Sequence, residues 1–151
     1  MSAYVGIDPG MSGAIAYITS NGWHSAEPFR KGTPKDWLTY LRWIRQANGD
    51  AFCMVEQVHS MPKQGVSSTF KFGHHAGMCE AFLIAAEIPY EFVTPLAWQK
   101  ALKCQSHGDK NITKRAAEAL FPGGLDITHA IADALLIAEF CRRSRGGYTD
   151  A

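Results

Sequence analysis

The chain has 151 residues, of which 46% are hydrophobic and 19% are charged, and its formal net charge is +1. This composition excludes a disordered or fibrous protein, and the length suits one globular domain with a full core. The nearly balanced charge also excludes a uniformly basic nucleic-acid-binding surface, although it allows a local basic face.

The cysteines and the apolar stretches indicate the cellular compartment of the protein. The four cysteines include no Cys-x-x-Cys pair, so neither a zinc ribbon nor a redox motif is expected. Cys53 and Cys79 lie in apolar patterns typical of reduced core residues. Because there is no basic leader and no apolar stretch of membrane-spanning length, the sequence predicts a cytoplasmic protein without membrane contact.

The first half of the chain is predicted to be rich in strands. Three strands joined by short turns are expected over residues 3–8, 13–19 and about 23–29. Thr33-Pro34 is typical of a capping residue followed by a first-turn proline, and it predicts a helix that ends near Asn48-Gly49. The apolar run at 51–55 predicts a strand buried on both faces, which ends at Glu56.

The second half alternates helices with one short strand. A long helix is predicted over 66–87 and a fifth strand over 89–93. Three more helices are expected to begin at Thr94-Pro95 and to span about 110–120 and 128–142. This order predicts a single α/β domain over 1–143, with a mixed sheet covered by helices, and a loose C-terminal tail over 144–151.

The most informative segment is Val5–Tyr17. Its apolar run ends at Asp8, breaks at Pro9-Gly10 and resumes after Gly13, which predicts a strand, a tight turn and an antiparallel return strand. An acid in that position is well placed to hold a metal ion or to approach a phosphate. The alternative is that Asp8 stabilises its own turn through an Asx hydrogen bond.

Three further side chains extend this acidic site. Glu56 ends a strand that is expected to lie beside the strand of Asp8. The alternative is that Glu56 is an ordinary solvated residue at a strand end. His129 and Asp133 lie four residues apart on one face of the last helix, and we expect both to point towards the sheet rather than into solvent. His129 could instead be an ordinary partly buried histidine.

Asp133 is the hardest of these residues to explain by packing, because it interrupts an otherwise apolar helix. Three converging carboxylates would repel each other by roughly 3 kcal/mol per pair at ~5 Å and an effective dielectric of ~20. Such a cluster predicts bound cations, and its hard oxygen ligands suit Mg²⁺ or Mn²⁺.

Three motifs, in this order, resemble those of the RuvC-like Holliday junction resolvases, in particular the phage and prophage type. They are Gly6-Ile7-Asp8-Pro9-Gly10, Val55-Glu56-Gln57-Val58 and residues 132–138. The resemblance covers residues 4 to about 140. It implies a ribonuclease H-like fold with helices on both faces of a mixed five-stranded sheet, a homodimer, and Mg²⁺-dependent cleavage of four-way DNA in a bacterial or phage-infected cell.

The resemblance also implies roles for individual residues. It assigns metal binding to Asp8, Glu56 and Asp133. The family's fourth ligand stands three or four positions before the last acid, which points to His129 as a ligand or general base, with Asp126 as the alternative.

We therefore expect a crossover junction endodeoxyribonuclease with two Mg²⁺ ions per site, which Mn²⁺ can replace, and with 5′-phosphate and 3′-hydroxyl products. The predicted catalytic residues are Asp8, Glu56, His129, Asp133 and Lys110. The rival hypotheses are a non-catalytic branched-DNA-binding protein and a related nuclease that acts on RNA. An actin-like or sugar-kinase ATPase shares the Asp-Pro-Gly turn, but it needs a second domain for which 151 residues leave no room.

Basic and aromatic residues suggest the DNA-contacting surface. Residues 98–115 carry five basic side chains and one acidic one, a local charge of +4. Such a surface suits a phosphate backbone. The alternative is that these residues only form a solvated face. The resemblance places Lys100 and Lys110 near the scissile phosphate. His59 stands where several bacterial members have a base-stacking aromatic, and Met61 or Phe70 could wedge between bases instead. The full predicted set comprises His59, Lys63, Phe70, Lys71, Lys100, Lys103, Lys114 and Arg115.

The long helix carries a smooth ridge of small residues at four-residue spacing. The ridge consists of Gly73, Gly77, Ala81 and Ala85. It either packs on the sheet of its own chain or lets a second copy approach closely. Together with the resemblance, it predicts a two-fold dimer through helix 66–87.

Overall fold

The computed structural model describes residues 1–146 and shows a mixed five-stranded sheet with helices on both faces, as predicted. The strands are β1 (Ser2–Asp8), β2 (Ala14–Thr19), β3 (His24–Pro28), β4 (Asp50–Glu56) and β5 (Tyr90–Val93). The α-helices are α1 (Pro34–Asn48), α2 (Val66–Ala85), α3 (Pro95–Ala101), α4 (Lys110–Leu120) and α5 (His129–Arg145). A short 3-10 turn, Phe29–Lys31, follows β3.

The strand order is β3-β2-β1-β4-β5. The first three strands form an antiparallel meander, and β4 and β5 run parallel to β1. The predicted pairing of β1 with β4 is therefore confirmed. Ile7 pairs with Val55, so that Asp8 and Glu56 end adjacent strands at the same edge of the sheet.

Side chains alternate between two cores on the two faces of the sheet. Along β1, Ala3, Val5 and Ile7 belong to the core that α1 and α2 cover. The intervening positions, including Gly6, face α5, which forms the opposite core with α3 and α4. All four cysteines are buried and free, as the sequence predicted for Cys53 and Cys79.

Local hydrogen bonds explain where the helices begin. The hydroxyl oxygen of Thr33 accepts from the Asp36 N–H, and the Asp36 carboxylate accepts from the Thr33 N–H, which forms a capping box. The Thr94 hydroxyl accepts from Ala97 N–H in the same way. Both predicted Thr-Pro helix starts are thus confirmed.

The last helix extends three residues further than the sequence indicated. α5 continues to Arg145, where its final turn is rich in arginine, which suits the negative end of a helix dipole. The remainder of the predicted loose tail, from residue 147 onward, lies outside the described residues. Over residues 1–146, no helix is long and apolar enough to cross a membrane.

α5 crosses β1 in direct backbone contact at Gly6. A methyl group on Gly6 would overlap the Ala134 carbonyl oxygen and the Ala138 nitrogen. Because helix backbone occupies this space, no flexible side chain can yield to relieve the overlap. The absence of a side chain at residue 6 therefore sets the distance between α5 and the sheet.

Gly6→Ala is expected to push α5 away from β1 and to lower the free energy of unfolding by at least about 2 kcal/mol. Urea denaturation measures this change. Gly65→Ala is the matched control, since a methyl group there meets nothing within 4 Å. Equal destabilisation by the two substitutions would contradict the importance of the Gly6 contact.

Candidate active site

Three carboxylates gather at the end of the sheet where β1 and β4 finish. Asp8 and Glu56 are the last residues of those strands, and Asp8 lies on the same side of β1 as Gly6. Asp133 precedes Ala134, whose carbonyl oxygen lies against Gly6. The close contact of α5 with β1 thus brings the helix acid to the two strand acids.

Glu56 is oriented by an indole group from α3. Trp98 is fully buried, and its Nε1–H donates a hydrogen bond of 2.8 Å to Glu56 Oε2. Burial raises the pKa of Glu56, the Trp98 hydrogen bond lowers it and the nearby Asp133 charge raises it, so that the pKa is about 7. Trp98 therefore fixes the carboxylate and favours its ionised form.

The other two acids have raised pKa values for related reasons. Burial raises the pKa of Asp8 well above its ordinary value, the charges of Glu56 and Asp133 add to the increase, and Lys110 opposes it. Burial also raises the pKa of Asp133, whereas a hydrogen bond from Thr113 and the charges of Lys110 and His129 lower it. Each acid thus senses the charge of its neighbours.

The chemistry of this donor set fits a hard divalent cation. All three groups are carboxylates, and both their burial and their mutual repulsion disfavour ionisation without a counter-charge. Within the described part of the chain, no three Asp, Glu, His or Cys side chains are already gathered tightly enough to hold one ion. Repulsion between the three carboxylates favours this separation, and the charge of a bound cation would offset that repulsion.

His129 differs from the sequence prediction. It is exposed, and its Nε2 lies 3.1 Å from Asn111 Oδ1. The prediction that its side chain points towards the sheet is wrong. Asp133 is level with the strand ends, so His129 lies one helical turn, about 6 Å, beyond them. It remains near enough to lower the pKa of Asp133.

Among the predicted basic residues, Lys110 is the one whose charge changes the pKa values of the acids. It is the first residue of α4, and it lowers the pKa of both Asp8 and Asp133. The other predicted DNA-contacting side chains are His59, Lys63, Phe70, Lys71, Lys100, Lys103 and Arg115, all exposed, and Lys114, which is half-buried. Asp126, the alternative fourth ligand, is also exposed.

Sequence reasoning missed several residues that support the site. Besides Trp98 and Thr113, these include His75 in α2, whose Nδ1 accepts a hydrogen bond of 2.8 Å from the Gly10 N–H. Burial lowers the pKa of His75, with a smaller contribution from His74, which favours the neutral ring that such an acceptor requires. An aromatic or histidine within an apolar helix resembles an ordinary core residue, so no sequence signal marked these contacts.

In metal-free protein, Glu56→Gln is expected to be more stable than the wild type at pH 8 and about equally stable at pH 4. The folded protein holds the Glu56 proton up to a pKa of about 7, above the ordinary value of 4.5. Stability of the wild type should therefore fall as pH rises through this window, and the variant should lack that part of the fall. Glutamine retains an acceptor for Trp98.

Thermal unfolding in the presence of a chelator, at several pH values, measures this difference. Asp50→Asn is the matched control, because Asp50 is exposed at the opposite end of β4. Identical pH dependence in Glu56→Gln and wild type would contradict the burial of this acid.

The comparisons with known proteins identify the fold. No family model and no curated protein matches this chain. A structure of Thermus thermophilus RuvC in complex with a Holliday junction substrate matches with a TM-score of 0.62 and 16% identity, covering 96% of this chain and 97% of RuvC. A second T. thermophilus RuvC structure gives a TM-score of 0.55 and 17% identity, covering 95% and 96%. The chain therefore has a RuvC-like, ribonuclease H-like fold, whereas its phage or prophage type stays a prediction.

Proposed function

We propose that this protein is a structure-specific endodeoxyribonuclease that uses Mg²⁺ to cleave four-way or otherwise branched DNA. The observation that carries the proposal is the convergence of Asp8, Glu56 and Asp133 at one end of a RuvC-like sheet, with raised pKa values. If these acids were only solvated surface residues, there would be no reason for all three to be half-buried beside one another at this end of the sheet. A RuvC of the same fold has been solved with a Holliday junction, which supports DNA as the substrate class.

Asp8, Glu56 and Asp133 would hold the cations, and Mn²⁺ could replace Mg²⁺. When bound, two such ions would supply activation of the attacking water and stabilisation of the leaving 3′ oxygen, the chemistry that cleavage to 5′-phosphate and 3′-hydroxyl ends needs. Trp98 keeps the Glu56 carboxylate in place through its N–H. Lys110 offsets negative charge where the scissile phosphate would meet the acids.

His129 can accept a proton or serve as a fourth ligand. When its Nε2–H donates to Asn111 Oδ1, the lone pair on Nδ1 is free. Its position at the exposed start of α5 suits a group that exchanges protons with solvent or substrate.

The basic side chains provide a surface for the phosphate backbone. Lys100 belongs to α3, which supplies Trp98, and Lys114 and Arg115 belong to α4, which supplies Thr113. The predicted DNA-contacting lysines and Arg115 form no ion pair with a carboxylate in residues 1–146. Their charges are thus available to phosphates. Phe70, with 74% of its surface exposed, is available to stack on an unpaired base.

A homodimer through α2 would suit a substrate with two equivalent strands. The small residues of its ridge are all exposed, so this ridge does not pack on the sheet of its own chain. Gly73 and Gly77 line a groove with Phe92, whose ring is half-exposed, and Ile84 extends the apolar surface. A second copy related by two-fold symmetry would cover this surface and direct two active sites at two strands.

Asp8→Asn is expected to reduce cleavage of a mobile four-way junction on the order of 1,000-fold or more, because it removes the central charge of the acid site. Gel analysis of labelled strands with Mg²⁺ or Mn²⁺ measures the nicks and identifies the end groups. Asp50→Asn, which changes an exposed acid far from the site, should cleave normally.

Tight junction binding without cleavage by the wild type at any metal concentration would contradict the proposed activity and favour a non-catalytic DNA-binding protein. Preferential cutting of an RNA-containing substrate would favour the related ribonuclease instead. Linear duplex DNA serves as the test of structure specificity.

Gly77→Arg is expected to give a monomer that nicks single strands of a junction without pairing the two cuts. The monomer should tolerate the change, because residue 77 is exposed and a Cβ added there meets nothing within 4 Å. Sedimentation equilibrium and the fraction of doubly nicked junctions measure the two effects. Ala47→Arg adds the same charge at an exposed position of α1 and should remain dimeric. A wild type that is monomeric, or a Gly77→Arg variant that stays dimeric, would contradict this interface.

A further inference from the structure

Two side chains of α2 hold the turn that follows Asp8. The Gly10 N–H donates a hydrogen bond of 2.8 Å to His75 Nδ1, and this contact is buried. The Phe72 ring lies against the same glycine, since a methyl group on Gly10 would be 2.8 Å from Phe72 Cε2. Gly10 itself has a φ of +108°, a conformation that favours glycine.

The backbone of the rest of this turn is intrinsically flexible. Gly13 N–H donates to the Gly10 carbonyl at 2.9 Å, and a methyl group on Gly13 would overlap the Asp8 carbonyl oxygen. Because the turn has two glycines within four residues, its backbone could adopt many alternative conformations in the absence of contacts from the rest of the protein. The contacts from α2 are therefore well placed to select one conformation.

The chemistry of the hydrogen bond fixes the state of the His75 ring. A backbone N–H can only donate, so Nδ1 must be the unprotonated nitrogen and the proton must reside on Nε2. His75 is only 3% exposed, and its ring packs edge-on against Phe29, with the centroids 4.3 Å apart, and against Trp37, at 5.0 Å. The ring can neither turn freely nor replace the Gly10 N–H with a water donor.

Burying this histidine has a cost that packing alone does not explain. Its Nε2 is buried and has no hydrogen-bond partner among the described residues. A phenylalanine would fill the aromatic pocket without an unpaired N–H. What the imidazole adds is an acceptor for the Gly10 amide, two residues from the central acid.

We propose that His75 is a positioning residue, which holds the Pro9-Gly10 turn and thereby keeps the Asp8 carboxylate where a divalent cation can bind it. This inference rests on the proposed function, because it assigns Asp8 to a cation site. It links the inward face of α2 to the metal-binding acids, whereas the outward face of the same helix carries the small-residue ridge.

His75→Phe and His75→Asn separate the hydrogen bond from the packing. Phenylalanine keeps an aromatic ring but offers Gly10 no acceptor. Asparagine loses the ring but keeps an acceptor, Oδ1, the same number of bonds from the backbone as Nδ1. Leu83→Ala is the control for general destabilisation, because Leu83 is fully buried in the same helix and the same core.

Calorimetric titration with Mn²⁺, well below each melting temperature, should show a loss of affinity of roughly 10- to 100-fold in His75→Phe. His75→Asn should recover most of it, and Leu83→Ala should bind Mn²⁺ like the wild type. In junction cleavage, His75→Phe should lower kcat with little change in KM for DNA. Wild-type Mn²⁺ affinity in His75→Phe, or equal losses in His75→Phe and Leu83→Ala, would overturn the proposal.

Nuclear magnetic resonance of the wild type provides a test that depends neither on a variant folding nor on nuclease activity. The His75 ring should be neutral with its proton on Nε2, and the Gly10 amide should be protected from hydrogen exchange. A proton on Nδ1, or a rapidly exchanging Gly10 amide, would overturn the inference. If the wild type binds Mn²⁺ and shows these signals but cuts no DNA, the proposed nuclease activity fails and the positioning role of His75 stands.

Discussion

The close contact between α5 and β1 at Gly6 is the constraint on which the candidate site depends. Because residue 6 has no side chain, the helix backbone lies directly against the strand. This contact sets the height of α5 over the sheet and brings Asp133 to the strand ends. The pairing of β1 with β4 then adds Glu56 beside Asp8. Backbone packing, rather than attraction between the side chains, therefore assembles three groups that repel each other.

Electrostatics explain why we propose a cation at this assembly of acids. Burial raises the pKa of all three acids, and their own charges contribute to the raised values of Asp8 and Glu56. Trp98 and Lys110 offset only part of this cost. A divalent ion would supply the missing counter-charge, and the same ion would serve phosphodiester hydrolysis. The cost of the acid cluster in folding and its proposed use in catalysis thus have one physical origin.

The sequence predicted the parts of this arrangement that follow from periodicity and chain punctuation. Asp8 and Glu56 could be placed because each ends an apolar strand, and Asp133 because it interrupts an apolar helix. The orientation of His129 could not be obtained this way, since it depends on where α5 begins relative to the strand ends. Trp98 and His75 were missed because their hydrogen bonds join residues 42 and 65 positions apart, which no local pattern reveals.

We propose that the Gly6 contact assembles a divalent-cation site from Asp8, Glu56 and Asp133. Anomalous diffraction from crystals grown with Mn²⁺ tests it most directly. We expect a strong manganese peak bounded by carboxylate oxygens of these three residues in the wild type, and the loss of that peak in Asp133→Asn. A wild-type crystal saturated with Mn²⁺ that shows no peak between these carboxylates would contradict it.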